Sequence, residues 1–139
     1  MSSALDSLKA SLQQAKSDWE EAKKDAKAYQ KKAKEIDKVY QELKEKKDSM
    51  KTLKRELKDF KNDKYDSWKG VLWKEEYKGA VQKVVTSYGT VIDDIDTNLD
   101  NLNLEKTRYE NLANEKWGLV GRLASTVNSL ITQIENWTN

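Results

Sequence analysis

Proline, cysteine and histidine are all absent from this sequence of 139 residues. Without proline, no position forces a helix to break. Without cysteine, disulfide bonds and thiol chemistry are excluded. Without histidine, the chain lacks the commonest general base and the commonest metal ligand. These absences favour a helical, non-catalytic protein.

Long apolar runs and a strong net charge are also missing. No stretch approaches the roughly 20 apolar residues that cross a bilayer, so we expect no stable membrane insertion. The first twelve residues lack the basic and then apolar layout of a secretory signal, which predicts a protein made in the cytoplasm. The formal net charge is only +2, so we expect no nucleic-acid partner.

The residues that are present have a helical spacing. Charged residues make up 36% of the chain and apolar residues 37%, which is typical of long helices that each bury one narrow stripe. In the first half the apolar positions alternate steps of three and four, the heptad pattern of a coiled coil. These positions are Leu5, Leu8, Leu12, Ala15, Trp19, Ala22, Ala26, Tyr29, Ala33, Ile36, Tyr40 and Leu43.

Beyond Leu43 the apolar spacing changes. The stripe meets Lys47 and continues as Met50, Leu53, Leu57 and Phe60. Two successive steps of three predict a local change in the phase of the stripe. We expect this first helix to cover residues 4–66.

The second half carries a wider apolar stripe, which predicts a second helix over residues 71–136. Adjacent apolar residues recur in it, a pattern broader than one partner helix needs. Three such pairs are Val84/Val85, Val91/Ile92 and Leu130/Ile131.

Between the two stripes lies the triplet Trp68-Lys69-Gly70. Gly70 can adopt a left-handed conformation at a helix end without a Cβ clash, so we predict a turn at residues 67–71. A short connection places two helices side by side and antiparallel. The expected fold is therefore all-α, a single domain over residues 1–139 forming a long antiparallel two-helix hairpin. A turn at this place pairs residue n with about residue 138 minus n.

One acidic segment has the spacing of a calcium-binding loop, but Leu99 stands where such a loop needs glycine. The apolar stripe also continues through it, so we predict a solvated helix face there and no metal site. Carboxylates and lysines spread along helix faces supply no activated nucleophile. We therefore expect no enzyme, no catalytic residues and no cofactor. The segment contains Asp94, Asp96, Asn98, Asp100 and Glu105.

The central Trp68-Lys69-Gly70 triplet, followed by the aromatic Tyr77, resembles the WXG-type (Esx) family. Those proteins are helical hairpins with Trp-x-Gly in the turn, exported by type VII secretion systems of bacteria. In its length the chain is similar to the longer accessory proteins associated with LXG toxins. The family's Tyr-x-x-x-Asp/Glu export signal is missing, since Ala113 stands four residues after Tyr109. The resemblance thus implies an accessory role, with export, if any, alongside a partner and without a cleaved signal peptide.

The doubled positions predict a surface for that partner. One member of each pair is not covered by the first helix and should dock a second protein. We name Val85, Ile92 and Ile131, or their neighbours in each pair, because the sequence does not determine the rotation of the second helix. The expected partner is the helical N-terminal domain of an LXG-type toxin or another small helical hairpin. The alternatives are a cytosolic coiled-coil adaptor, a homodimeric scaffold and an amphipathic membrane-surface protein.

Overall fold

The computed structural model describes residues 2–63 and 77–138, and both ranges are helical. Helix α1 spans Ser2–Asp63 and helix α2 spans Lys78–Thr138. Over these two ranges there is no strand and no residue with positive φ. The two helices pack against each other, so the predicted all-α hairpin is confirmed. The predicted turn at 67–71 lies outside the described residues.

Local chemistry keeps both helices continuous. Alanine, leucine, lysine and glutamate, all strong helix formers, dominate α1. Several exposed hydroxyl groups donate hydrogen bonds to carbonyls of their own helix. Thr52 Oγ1 donates to the carbonyl of Asp48 at 3.1 Å, and Thr126 Oγ1 donates to that of Arg122 at 3.1 Å. Residues that otherwise compete with helical hydrogen bonds are therefore accommodated on the outer faces.

The seam of α1, meaning the residues that α2 covers, follows one strict heptad from residue 5 to residue 57. The predicted change of phase after Leu43 is wrong, because Lys47 and Lys54 are half-buried whereas Leu53 and Phe60 are exposed. A lysine can bury its aliphatic stem and keep its ammonium group at the edge, so the seam continues through it. The seam consists of Leu5, Leu8, Leu12, Ala15, Trp19, Ala22, Ala26, Tyr29, Ala33, Ile36, Tyr40, Leu43, Lys47, Met50, Lys54 and Leu57.

The seam of α2 is equally regular and also includes two lysines. Its steps of four and three continue without interruption through the segment that resembled a calcium loop. That segment is therefore helix, and Leu99 within it is a core residue. The seam consists of Val81, Val85, Tyr88, Ile92, Ile95, Leu99, Leu102, Lys106, Tyr109, Ala113, Lys116, Val120, Leu123, Val127, Leu130 and Ile134.

Packing divides the chain into two compact units. Unit 1 combines Met1–Glu35 with Glu105–Asn139, and unit 2 is Ile36–Leu104. In unit 1 the buried residues are mostly alanines, with Val127 beside them. In unit 2 they are Val85, Ile92, Ile95 and Leu99, all on α2.

The register of each unit follows from contacts between the helices. In unit 1, Asp25 lies opposite Lys116, with Oδ2 and Nζ 3.5 Å apart. In unit 2, Lys47 pairs with Asp96. The midpoint of that second pair falls between residues 71 and 72, not at residue 69, so the helices are displaced by a few residues from the predicted register. The partners run in opposite directions along the two helices, as an antiparallel pair requires.

Candidate functional site

At two of the doubled positions, both in unit 2, one member of the apolar pair is buried and the other is exposed. Val85 is 3% exposed and Ile92 is 7% exposed, whereas Val84 is 45% exposed and Val91 is 42% exposed. Val85 and Ile92 thus belong to the core of the hairpin and are not free for a partner. Of the residues named for the predicted surface at these two positions, only the neighbours Val84 and Val91 are exposed.

At the third doubled position, which lies in unit 1, the structure does not bury one member and expose the other. Leu130 and Ile131 are both half-buried. Leu130 lies in the seam and Ile131 lies on its flank, so neither presents the open surface that Val84 and Val91 present.

Helix α1 contributes two large apolar residues that the apolar spacing of the sequence predicts in the seam. Leu53 is 46% exposed and Phe60 is 38% exposed. They are seven residues apart, and Leu53 immediately precedes the seam residue Lys54, just as Val84 and Val91 precede Val85 and Ile92. In heptad terms all four occupy the g position, the flank on one side of the seam.

These four residues lie on the same side of unit 2. Lys54 packs beside Gly89, whose Cα would carry a Cβ only 3.2 Å from Lys54 Nζ, and Lys47 contacts Asp96. Gly89 and Asp96 occupy the e position of α2, on the flank opposite to g. Because the e flanks meet there, the g flanks of the two antiparallel helices are left together on the other side.

We call this surface the g strip. Its centre is formed by two pairs that the register places opposite each other, Leu53 with Val91 and Phe60 with Val84. Tyr77 extends the row on α2, and Val39 lies in the row on α1 beyond Lys46; both are exposed as well. The g strip therefore consists of Val39, Leu53, Phe60, Tyr77, Val84 and Val91.

Acidic side chains border the g strip. Glu42 and Glu56 lie beside it on α1 and Asp94 lies beside it on α2, each three residues after a strip residue. All three are exposed, and within the described ranges none of them forms an ion pair or hydrogen bond through its carboxylate. Among the described residues of unit 2, Lys46 is the single cation that occupies a g position or lies three residues after one. The strip is thus apolar at its centre and acidic at its rim.

The opposite flank of unit 2 has internal charge compensation. Lys47 is a half-buried seam residue, and its ammonium group is paired with Asp96. This hydrogen bond is the main cause that raises the pKa of Lys47 above its ordinary value. Asp96 was part of the calcium-loop pattern, but here its carboxylate serves as the partner of a lysine. In the described part of the chain no three acidic residues cluster as a metal site would require.

In unit 1, a group of aromatic and charged side chains surrounds Tyr109. The ring of Tyr29 lies 6.1 Å from that of Tyr109, and the guanidinium of Arg108 lies 4.5 Å from the same ring. Arg108 Nη2 donates to Glu105 Oε2 at 2.9 Å. This hydrogen bond lowers the pKa of Glu105 and raises the pKa of Arg108. The contact between the two tyrosine rings joins α1 to α2.

Unit 1 also contains two half-buried tryptophans, one on each helix. The Lys23 ammonium lies 4.9 Å from the centre of the Trp19 ring, a cation–π contact. Trp19 and Trp117 are half-buried, and the Nε1 atoms of both are shielded from solvent. A shallow surface depression nearby is formed by α2 alone, from Asn111 to Arg122. These rings pack the core, as expected for large side chains among alanines.

Comparisons of the chain with protein-family models, with curated proteins and with solved structures find no match. The turn motif Trp68, Lys69 and Gly70 lies outside the described residues, so the resemblance to the WXG type stays a prediction. Neither helix contains, within its described residues, an apolar segment of the length that crossing a bilayer requires. The g strip is thus the feature of the described surface best suited to binding.

Proposed function

We propose that this protein is a non-enzymatic accessory partner that binds the helical N-terminal domain of an LXG-type toxin and helps to target it for type VII secretion. The resemblance of its central motif and its two-helix architecture support this role. The observation that carries the proposal is the g strip, two rows of exposed apolar side chains on one side of a helical hairpin. A helix laid along both rows would complete a bundle and remove them from water.

The direct test is co-purification of the tagged chain with the N-terminal domain of the toxin encoded by the neighbouring gene. The variant Leu53→Asp/Val91→Asp places two charges at the centre of the g strip. Because both side chains are already exposed, we expect the helix content to stay unchanged while the complex is lost.

The matched control is Leu104→Asp. Leu104 is 68% exposed and occupies the outer face of α2, away from the g strip. This variant should keep both its helix content and the complex. Circular dichroism of each free variant separates a lost interface from a lost fold. A complex that survives Leu53→Asp/Val91→Asp would exclude the g strip as the binding surface.

The apolar centre of the strip, considered without its acidic rim, would also be covered by a second copy of the chain, which is the basis of the alternative function as a homodimeric scaffold. Light scattering of the purified protein distinguishes the two. A dimer that dissociates in Leu53→Asp/Val91→Asp, together with no binding of the neighbouring domain, would favour the scaffold. Under the proposed function, the partner domain occupies the strip in the complex and stays with the chain through gel filtration.

A further inference from the structure

The acidic rim of the g strip determines which kind of helix it accepts. Glu42 lies between Val39 and Lys46, and Glu56 lies between Leu53 and Phe60, at helical spacings of three and four. Asp94 occupies the corresponding place after Val91. A helix lying on the strip would carry its own flanking residues directly against these carboxylates.

From this arrangement we infer that the g strip binds an amphipathic helix whose apolar face is flanked by lysine or arginine. The inference rests on the proposed function and names the chemistry of the partner's docking segment. Apolar side chains of that helix would cover Leu53, Val84 and Val91, while its cations would pair with the rim. Complementary flanking charges are also the means by which helix pairs select partners and orientation.

The extent of the strip sets the length of the docking segment. From Val39 to Phe60 the row on α1 covers about 30 Å at 1.5 Å per residue. An occupant of about 20 helical residues would therefore match it, with its apolar positions spaced at three and four. This is the length of one helix of a bundle rather than of a short linear peptide.

The same charges argue against two other occupants. A second copy docking by the same strip would bring Glu42, Glu56 and Asp94 near their own equivalents, and like charges across an interface disfavour association. An anionic membrane surface would meet the same repulsion. A helix with basic flanks satisfies both the apolar centre and the acidic rim.

The test uses the full chain and two synthetic helical peptides of about 20 residues with identical leucine faces. One peptide carries lysines on both flanks of that face, and the other carries glutamates. Fluorescence anisotropy measures the Kd of each. We expect the lysine-flanked peptide to bind at least about tenfold more tightly at low salt, with the ratio falling as added salt screens the charges. Equal affinities, or tighter binding of the glutamate-flanked peptide, would overturn the inference.

A charge-reversal variant locates the effect. Glu42→Lys/Glu56→Lys/Asp94→Lys should reverse the preference between the two peptides. The matched control changes the net charge equally, through exposed residues of unit 2 that do not border the strip, and should keep the preference for lysine flanks. This control is Glu45→Lys/Asp93→Lys/Asp100→Lys. Equal behaviour of the two triple variants would mean that net charge alone selects the peptide, which contradicts the inference.

The variant Leu53→Asp/Val91→Asp completes the design, since peptide binding that persists in it would place the site elsewhere and overturn the inference. Failure of the inference is distinguishable from failure of the proposed function. Suppose that the neighbouring toxin domain co-purifies with the chain but not with the Leu53→Asp/Val91→Asp variant, and that the two peptides bind equally. The proposed function is then supported, and the inference about basic flanks is contradicted. If the lysine-flanked peptide is preferred but that domain does not co-purify, the inference about basic flanks is supported and the toxin domain is excluded as the partner.

Discussion

The two units use the same heptad spacing but bury different side chains. In unit 1 the core is built from alanines of both helices, with Val127, and the spaces between them are filled by half-buried rings such as Trp19 and Tyr109. In unit 2 the core residues are aliphatic and come from α2 alone. Opposite them, α1 offers half-buried lysines and flexible apolar side chains.

This difference explains why the exposed apolar strip belongs to unit 2. Where Lys54 occupies a seam position, α1 carries the large apolar residue Leu53 one position earlier, on the g flank, and Phe60 follows on the same flank seven residues later. Leu53 and Phe60 are therefore exposed beside Val84 and Val91. A polar residue in a seam costs stability but specifies the register of the pair. Unit 2 thus combines a defined register with an apolar side that a further helix can cover.

The largest expected effect contrasts the two members of one doubled position. Ile92→Ala removes a buried side chain of unit 2 and should lower the free energy of unfolding by about 2–5 kcal/mol. Val91→Ala removes an exposed one and should change it by less than about 0.5 kcal/mol. Urea unfolding followed by circular dichroism measures both. Similar losses for the two variants would mean that α2 is rotated differently against α1.

Unit 1 should instead be sensitive to added volume. Ala26 is fully buried, so Ala26→Leu should overpack the alanine seam and lower the free energy of unfolding by about 1–3 kcal/mol. Ala28→Leu is the control, because Ala28 lies two residues further along α1 and is exposed. Thermal melts of the two variants test the comparison. An unchanged melting temperature for Ala26→Leu would show that the alanine seam has room for larger residues.

A smaller effect compares one glycine from each unit. A Cβ at Gly121 of unit 1 meets no atom within 4 Å, so Gly121→Ala should raise the free energy of unfolding by about 1 kcal/mol, the difference in helix propensity. In unit 2, Gly89→Ala should raise the free energy of unfolding by less, because its Cβ would lie 3.2 Å from Lys54 Nζ and displace that side chain. Urea titration of both variants gives the order. A larger gain for Gly89→Ala would mean that the Lys54 side chain moves aside without cost.

The smallest expected effects concern how the stability of the fold depends on pH, with one effect at alkaline pH and the other at acidic pH. In unit 2 the pKa of Lys47 is raised by Asp96, so the pair stabilises the fold below the ordinary lysine value of 10.5 and is lost as pH rises through the raised pKa. In unit 1 the pKa of Glu105 is lowered by Arg108, so that pair stabilises above the ordinary value of 4.5 and is lost as pH falls through the lowered pKa.

Melting temperatures measured across pH test both contributions. Asp96→Asn should flatten the alkaline side of the profile, and Glu105→Gln should flatten the acid side. Both pairs are partly exposed, so each change should be small and should diminish with added salt. A profile that steepens at the wrong end in either variant would contradict the assignment of that pair.

The helical class of this protein and the two-helix arrangement were determined by the sequence itself. A proline-free chain with apolar residues at steps of three and four can bury them in water only as paired helices. The doubled positions of α2 also indicated that some apolar surface would be left uncovered. These features depend on local spacing and composition, and local spacing is visible in a sequence.

The identity of the uncovered residues was decided only by the tertiary structure. Rotation of α2 places Val85 and Ile92 inward and Val84 and Val91 outward, although each pair looks equivalent in the sequence. The sequence pattern predicts Leu53 and Phe60 in the core, because it excludes lysine from the seam. In the folded chain Lys47 instead finds Asp96, and Lys54 finds the space beside Gly89. Both partners lie on the other helix, more than 30 residues away along the chain, so no local pattern reveals them.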